Sequence, residues 1–376
     1  MEFTKIYEDC YVFFDESKFV IGNDLIERSW NMKGEIPQSI SLKNKKNGKE
    51  WLDNKDWMIV DENTPSFLKA PMVLGKKVGS SIKVKIDDDF GFALKHLIAE
   101  VEIEYDQVRL RWYHIIYPHM PILRTYISCE TKIEVTADKS IKDCGKFQNQ
   151  NLEEDINKTK NDFYEEDYVD LLPSLPLHCK WKAVRLIDVT DHHNNLVSTE
   201  EGLFYPRERA LISGNVLIVK DMLCEDGFIF IKEGPTFLAY QGGMSHDFQI
   251  YGNNIFAAGW GFTVEELNRY RSLDTYGSAV VLWEGDEEAA LISLQQYHRA
   301  LHRYVPERDA FVMCNTWGDR SRDGRINERF IMQELEIAKS LGVSCYQIDD
   351  GWQKGVTANS IISGGVWEGY HKNNPD

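Results

Sequence analysis

Two adjacent carboxylates and an indole stand at the end of an apolar run, in Tyr346-Gln347-Ile348-Asp349-Asp350-Gly351-Trp352. Ionised carboxylates accept strong hydrogen bonds from hydroxyl groups, and an indole can cover the apolar face of a ring. The trio therefore suits a polyhydroxylated ligand such as a sugar. A second cluster, Asn315-Thr316-Trp317-Gly318-Asp319, ends an earlier apolar run. The plainer alternative is structural, with Asp349 capping a turn, Asp350 solvated and Trp352 packed in a core. Trp317, at the matching place on the preceding strand, shifts the reading toward a site.

Other chemistry-bearing residues have weaker surroundings. His192-His193 beside Asp191 are metal-ligand types, but they sit in a polar run that reads as a loop, with no third ligand suitably spaced. His298 and His302 lie one helical turn apart without the acidic partner of a His-Glu-x-x-His arrangement, so a helix surface is expected. Arg207, Glu208 and Arg209 read as a strand edge or a surface ion pair. The glycine pairs Gly242-Gly243 and Gly364-Gly365 lack the surroundings of a phosphate loop. No metal or cofactor is expected.

The elements that position the carboxylates come late in the chain. After Pro306 the pattern predicts a strand (Ala310 to Thr316), a charged loop, an amphipathic helix (Ile326 to Leu341) and a second strand (Val343 to Ile348). Gly342 falls where a left-handed helix cap belongs. Strand, crossover helix and strand imply two neighbouring parallel strands, and ligands of such sheets bind at the carboxyl ends. Side chains alternate along a strand, so Asp349 and Asp350 can share a pocket only if the strand stops between them.

From residue 1 to about 284 the period is two instead. Val101, Ile103 and Tyr105 alternate with glutamates, and Val108, Leu110 and Trp112 alternate with arginines. Many such strands without helices imply a large antiparallel sandwich. Val216 to Leu223 and Phe228 to Ile231 read as a hairpin, with Gly227 supplying a positive φ. Gln148 to Asp170 reads as an acidic surface loop. Ala290, Leu291, Leu294, His298 and Leu301 then mark a helix leaving the sandwich, with Asp286, Glu287 and Glu288 at its positive end.

Composition narrows the partners. With 376 residues, 43% of them apolar, the chain can bury a substantial core and divide into two or more domains. Its 43 basic and 60 acidic side chains give a net charge of −17, which repels nucleic acid and anionic membrane surfaces. Seven scattered cysteines (10, 129, 144, 179, 224, 314 and 345) form no close pair, and the expectation is buried free thiols in a reducing cytoplasm. The first residues lack the pattern of a signal peptide.

Cys314-Asn315-Thr316-Trp317, the helix ending in Leu341-Gly342, and Tyr346 to Gln353 together resemble the barrel entry of glycoside hydrolase family 36, which contains α-galactosidases, α-N-acetylgalactosaminidases and raffinose or stachyose synthases. The resemblance implies a fold of the β plus α/β class: a large N-terminal antiparallel β-supersandwich (1–284), a linker helix (285–305), and the strand-helix-strand start of a truncated (β/α)8 TIM barrel (306–376). It implies that Asp349 and Asp350 hold the C4 and C6 hydroxyls of galactose. By the same resemblance Trp317 and Trp352 line that subsite, and Trp367 lines its entrance.

The implied reaction is retaining hydrolysis of a terminal α-galactoside, with a nucleophile and an acid/base on later strands. Both are expected beyond Asp376, which makes the 376-residue chain an inactive N-terminal portion. An α-galactoside oligosaccharide is the implied partner, with a homo-oligomer also in keeping with the family. Other readings stay open: a galactosyltransferase of the raffinose or stachyose synthase kind, an α-N-acetylgalactosaminidase, and a non-catalytic sugar-binding or scaffolding sandwich.

Overall fold

Alternation of apolar and polar residues becomes sheet structure over most of the chain, because each strand then offers one face to a core and one to water. The computed structural model describes residues 5–52, 75–132, 168–186, 197–235, 246–262, 266–267, 269–316 and 326–349. They fall in two units, Met1–Arg303 and Tyr304–Asp376.

The first unit opens with an antiparallel meander of β1 (Lys5–Tyr7), β2 (Cys10–Phe14), β3 (Lys18–Gly22), β4 (Ile26–Asn31) and β5 (Gln38–Asn44). A second meander follows, β6 (Lys77–Asp87), β7 (His96–Tyr105), β8 (Val108–Ile116) and β9 (Ile122–Thr131). The remaining strands are β10 (Tyr168–Leu172), β11 (Cys179–Leu186), β12 (Val197–Leu203), β13 (Arg209–Ile212), β14 (Val216–Asp221), β15 (Asp226–Glu233), β16 (Phe248–Tyr251), β17 (Asn254–Ala258), β18 (Leu273–Asp274) and β19 (Gly277–Glu284). They build a four-stranded sheet ordered β10-β17-β16-β13 and a ten-stranded sheet ordered β12-β11-β14-β15-β19-β9-β8-β7-β6, with β18 also paired to β9. Every pairing among these strands is antiparallel.

One core joins all three sheets. Phe19 and Trp30 of the first sheet, Val101, Leu110 and Phe230 of the large sheet, and Phe248 and Ile255 of the small one are buried in it together. Each such side chain contributes roughly 1.5–3 kcal/mol of burial. Within it Arg28 of β4 makes two hydrogen bonds to Asp170 of β10, at 2.9 and 2.6 Å, and Ser278 of β19 donates to the same carboxylate at 2.6 Å. Asp170 is thus a buried cross-sheet anchor and not the end of a solvated loop; the rest of the expected acidic loop, up to residue 167, lies outside the described residues. On the outer face of β7 to β9, Arg109 meets Glu104 and Arg111 meets Glu130, each at 2.8 Å.

A second core lies under helix α1 (Glu287–Leu301). Asp286 caps α1 by accepting from the backbone of Glu288 and Ala289, as its acidic start implies. Its buried residues are Ala290, Ser293, Tyr297 and Ala300, while Leu291 and His298 are exposed. The stripe is rotated from the expected one because small residues let the helix approach the sheet, and Tyr297 reaches through to Glu233 at 2.7 Å. Arg124 pairs with the same carboxylate at 2.6 and 3.0 Å. The segment expected to be a linker therefore packs within the first unit.

Gly227 also differs from expectation. It lies inside β15, outside the positive-φ glycines, and is needed because a Cβ would run into the Trp283 ring and the Val219 carbonyl. No helix among the described residues is long and apolar enough to cross a membrane.

Candidate functional site at the ends of two parallel strands

In the second unit β20 (Met313–Asn315) and β21 (Cys345–Gln347) pair in parallel, with Met313 opposite Cys345, Cys314 opposite Tyr346 and Asn315 opposite Gln347. Helix α2 (Glu328–Ser340) connects them, capped by Asn327, whose side chain accepts from Phe330 N at 3.0 Å. Gly342 ends it at φ 77°, and the Val343 N–H closes back on Ala338 O at 3.0 Å. This left-handed stop turns the chain straight into β21. Ile326 and Ile331 are buried together, with Phe330 and Tyr346 packed against them.

Both strands are shorter than their apolar runs. Phe311, Val312 and Met313 are about half exposed or more, at 49%, 60% and 52%. Cys345 is exposed and Cys314 half-buried, contrary to the expectation of buried thiols; Cys224 is exposed as well, whereas Cys10, Cys129 and Cys179 are buried. A residue in an apolar run is buried only where a neighbour covers it.

The carboxyl ends of the two strands meet through side chains. Asn315 Nδ2 donates to Gln347 Oε1 and to Asp349 Oδ2, both at 3.0 Å. The Asp349 N–H donates to Thr316 Oγ1 at 2.8 Å, and Thr316, which is 4% exposed, donates its own N–H to Gln347 O at 3.2 Å. Asp349 is therefore held by the neighbouring strand through both its backbone and its carboxylate. The strand already stops at Gln347, two residues before the break expected between Asp349 and Asp350.

Of the five expected site residues only Asp349 is among those described; Trp317, Asp350, Trp352 and Trp367 lie outside them, as do His192 and His193. Asn315, Thr316 and Gln347 carry no role in the sequence reading. Aligning the two strand ends as parallel partners would have placed Asn315 opposite Gln347 and brought all three forward. His298 and His302 are exposed at the end of α1, as expected of a helix surface.

A metal-like grouping occurs elsewhere. Asp221, Cys224 and Asp226 bring ligand atoms within 4.8 Å of one another. Lys49 already supplies their cation, forming ion pairs with both Asp221 and Asp226 and lying 3.9 Å from the Trp51 ring centroid.

A multi-sheet antiparallel sandwich followed by a parallel strand-helix-strand unit is a fold shared with glycoside hydrolases of family 36. The GH36 α-galactosidase AgaB from Geobacillus stearothermophilus superposes with a TM-score of 0.51 at 9% identity, over 96% of this chain and 55% of that one. The galactosidase domain of the α-galactosidase-sucrose kinase AgaSK gives 0.51 at 10% identity, over 96% and 56%. A variant of the G. stearothermophilus α-galactosidase AgaA in complex with raffinose gives 0.52 at 9%, over 95% and 55%. The chain thus spans little more than half the length of these structures. At such identities the likeness is one of fold. No protein-family model matches the chain, and no curated protein matches it.

Proposed function

We propose that the chain is the N-terminal part of an exo-acting, retaining α-galactosidase, with residues 306–376 opening its (β/α)8 barrel. The observation that carries this reading is Asp349, fixed by Asn315 and Thr316 at the carboxyl ends of a parallel strand pair, in a chain whose fold follows that of α-galactosidases. Neighbouring structures of this fold contain raffinose and stachyose, and an α-galactosyl oligosaccharide is the ligand proposed here. In this reading Asp349 and Asp350 accept hydrogen bonds from the sugar's hydroxyls. Trp317 and Trp352 flank the ring, and Trp367 lines the way in.

Neither aspartate breaks the bond. Retention requires one carboxylate that attacks the anomeric carbon and a second that protonates the leaving oxygen and then activates water. We assign both to later strands of the parent enzyme, outside these 376 residues. The chain alone is then expected to bind a galactoside weakly and not to hydrolyse it.

The test is a titration of the chain with methyl α-galactoside followed by NMR, alongside an aryl α-galactoside assay. Hydrogen bonds to a charged acceptor are worth about 1.5–3 kcal/mol, so Asp349→Asn is expected to weaken binding roughly 10- to 100-fold. Unchanged binding by Asp349→Asn would sink the sugar site. Turnover by the chain that Asp349→Ala abolishes would overturn the assignment of the bond-breaking carboxylates to later strands.

A further inference from the structure

We infer that Asn315 is the positioning residue of this site and that Gln347 is a further sugar-contacting, specificity-determining residue; the inference rests on the galactoside reading and extends it. An asparagine amide has two N–H hydrogens and no more. Here Nδ2 spends them on acceptors of different charge, the neutral Gln347 Oε1 and the anionic Asp349 Oδ2, each 3.0 Å away. The two oxygens are consequently within two hydrogen-bond lengths of each other, and both side chains are aimed by one amide.

This arrangement fixes more than distance. Because Asn315 takes up the oxygen of Gln347, the other end of that carboxamide, the NH2 group, is directed away from Asn315, and Gln347 is exposed. Asn315 and Gln347 are register partners and so share a face of the sheet. The strand ends thus present a donor, the Gln347 NH2, beside an anionic acceptor, the Asp349 carboxylate. Every sugar hydroxyl both donates and accepts. Two neighbouring hydroxyls can satisfy this couple together, one donating to Asp349 and the other accepting from Gln347. A hydroxyl standing between the two can satisfy both, whereas one that an epimer turns away from the couple satisfies neither.

Thr316 completes the setting from below. Its buried hydroxyl accepts the Asp349 N–H, which keeps the backbone of Asp349 against β20 while Asn315 sets the side chain. Loss of Asn315 therefore removes one hold on the Asp349 side chain while Thr316 keeps its backbone in place.

The experiment uses the whole 376-residue chain in two measurements. In the first, carboxyl carbons of aspartate are labelled and the Asp349 chemical shift, assigned with Asp349→Asn, is read at one neutral pH without sugar. Asn315→Ala is expected to move the Asp349 carboxyl shift, because the Nδ2 donor to Oδ2 is lost. Asn315→Ser is expected to move it less, and Gln347→Leu not at all. In the second, methyl α-galactoside is titrated against its C4 epimer, the glucoside. Gln347→Leu is expected to weaken galactoside binding about tenfold, the worth of one hydrogen bond, and to narrow the preference between epimers. Gln347→Glu is expected to weaken it further, since it replaces the donor by a second anion. Asn315→Ala is expected to lose at least as much as Gln347→Leu.

An Asp349 carboxyl shift that ignores Asn315→Ala overturns the positioning role, and galactoside binding untouched by Gln347→Leu overturns the contact. If the unaltered chain binds no galactoside, the sugar reading and the Gln347 contact fall together, whereas the role of Asn315 still stands or falls on the carboxyl shift. A circular dichroism melt of each variant separates these outcomes from unfolding.

Discussion

His114 is wholly buried where two sheets face each other, its ring centroid 4.7 Å from that of Phe19 and 4.5 Å from those of Trp30 and Trp112. Neither ring nitrogen has a hydrogen-bond partner among the described residues. Burial, with the nearby Arg28 charge adding to it, holds its pKa well below the ordinary histidine range. The unfolded chain takes up this proton near pH 6.5, whereas the folded chain resists it. Stability from this residue is thus complete above that pH and is lost as the pH falls below it. The single ring is expected to remove up to about 2 kcal/mol between pH 7 and pH 5. Urea unfolding at the two pH values should show a smaller difference for His114→Phe than for the unaltered chain, and an equal difference would exclude His114 as the cause.

The sheets are joined by a few charged contacts whose partners are far apart in sequence. Arg28 and Asp170 are both nearly inaccessible, at 0% and 2% side-chain exposure, so removing one partner strands the other without water. Arg28→Met is expected to cost about 3–5 kcal/mol, and Arg28→Met combined with Asp170→Leu considerably less. Denaturant midpoints of the single and double variants would reveal this; equal losses would mean the pair is not the cause. Helix α2 depends on a local device instead. Asn327→Ala removes its cap and is expected to cost about 1 kcal/mol. Hydrogen exchange should then quicken in residues 328–340 and stay unchanged in the sandwich strands.

Two units of unequal character make up the molecule. The sandwich and α1 contain both large cores, and a chain ending at Arg303 is expected to unfold cooperatively within a few degrees of the whole chain. Among the described residues the second unit has one small cluster and exposes Val312, Ile337 and Leu341 at 60%, 55% and 75%. On the proposed reading, galactoside binding is expected to disappear with it. Equal binding by residues 1–303 would make the sandwich the sugar-binding unit and would displace the site proposed at Asp349.

Periodicity along the sequence was enough to assign the antiparallel strands, the change to a strand-helix-strand pattern after Pro306, the Gly342 stop and the charged end of α1. These are local properties, set by which side chains recur on one face and which backbone angles a residue tolerates. Asp349 was legible for the same reason, as an acid at the end of an apolar run. The partners were not. Arg28 finds Asp170 across 142 residues, and Asn315 finds Asp349 across 34, separations at which no periodicity carries information. Likewise Gly227 reads as a turn residue until Trp283 is seen against it, and Cys345 reads as buried until its face is found uncovered. Only the tertiary structure decides such matters, because burial and hydrogen bonding depend on what arrives opposite a residue, whereas sequence fixes only which way that residue is ready to face.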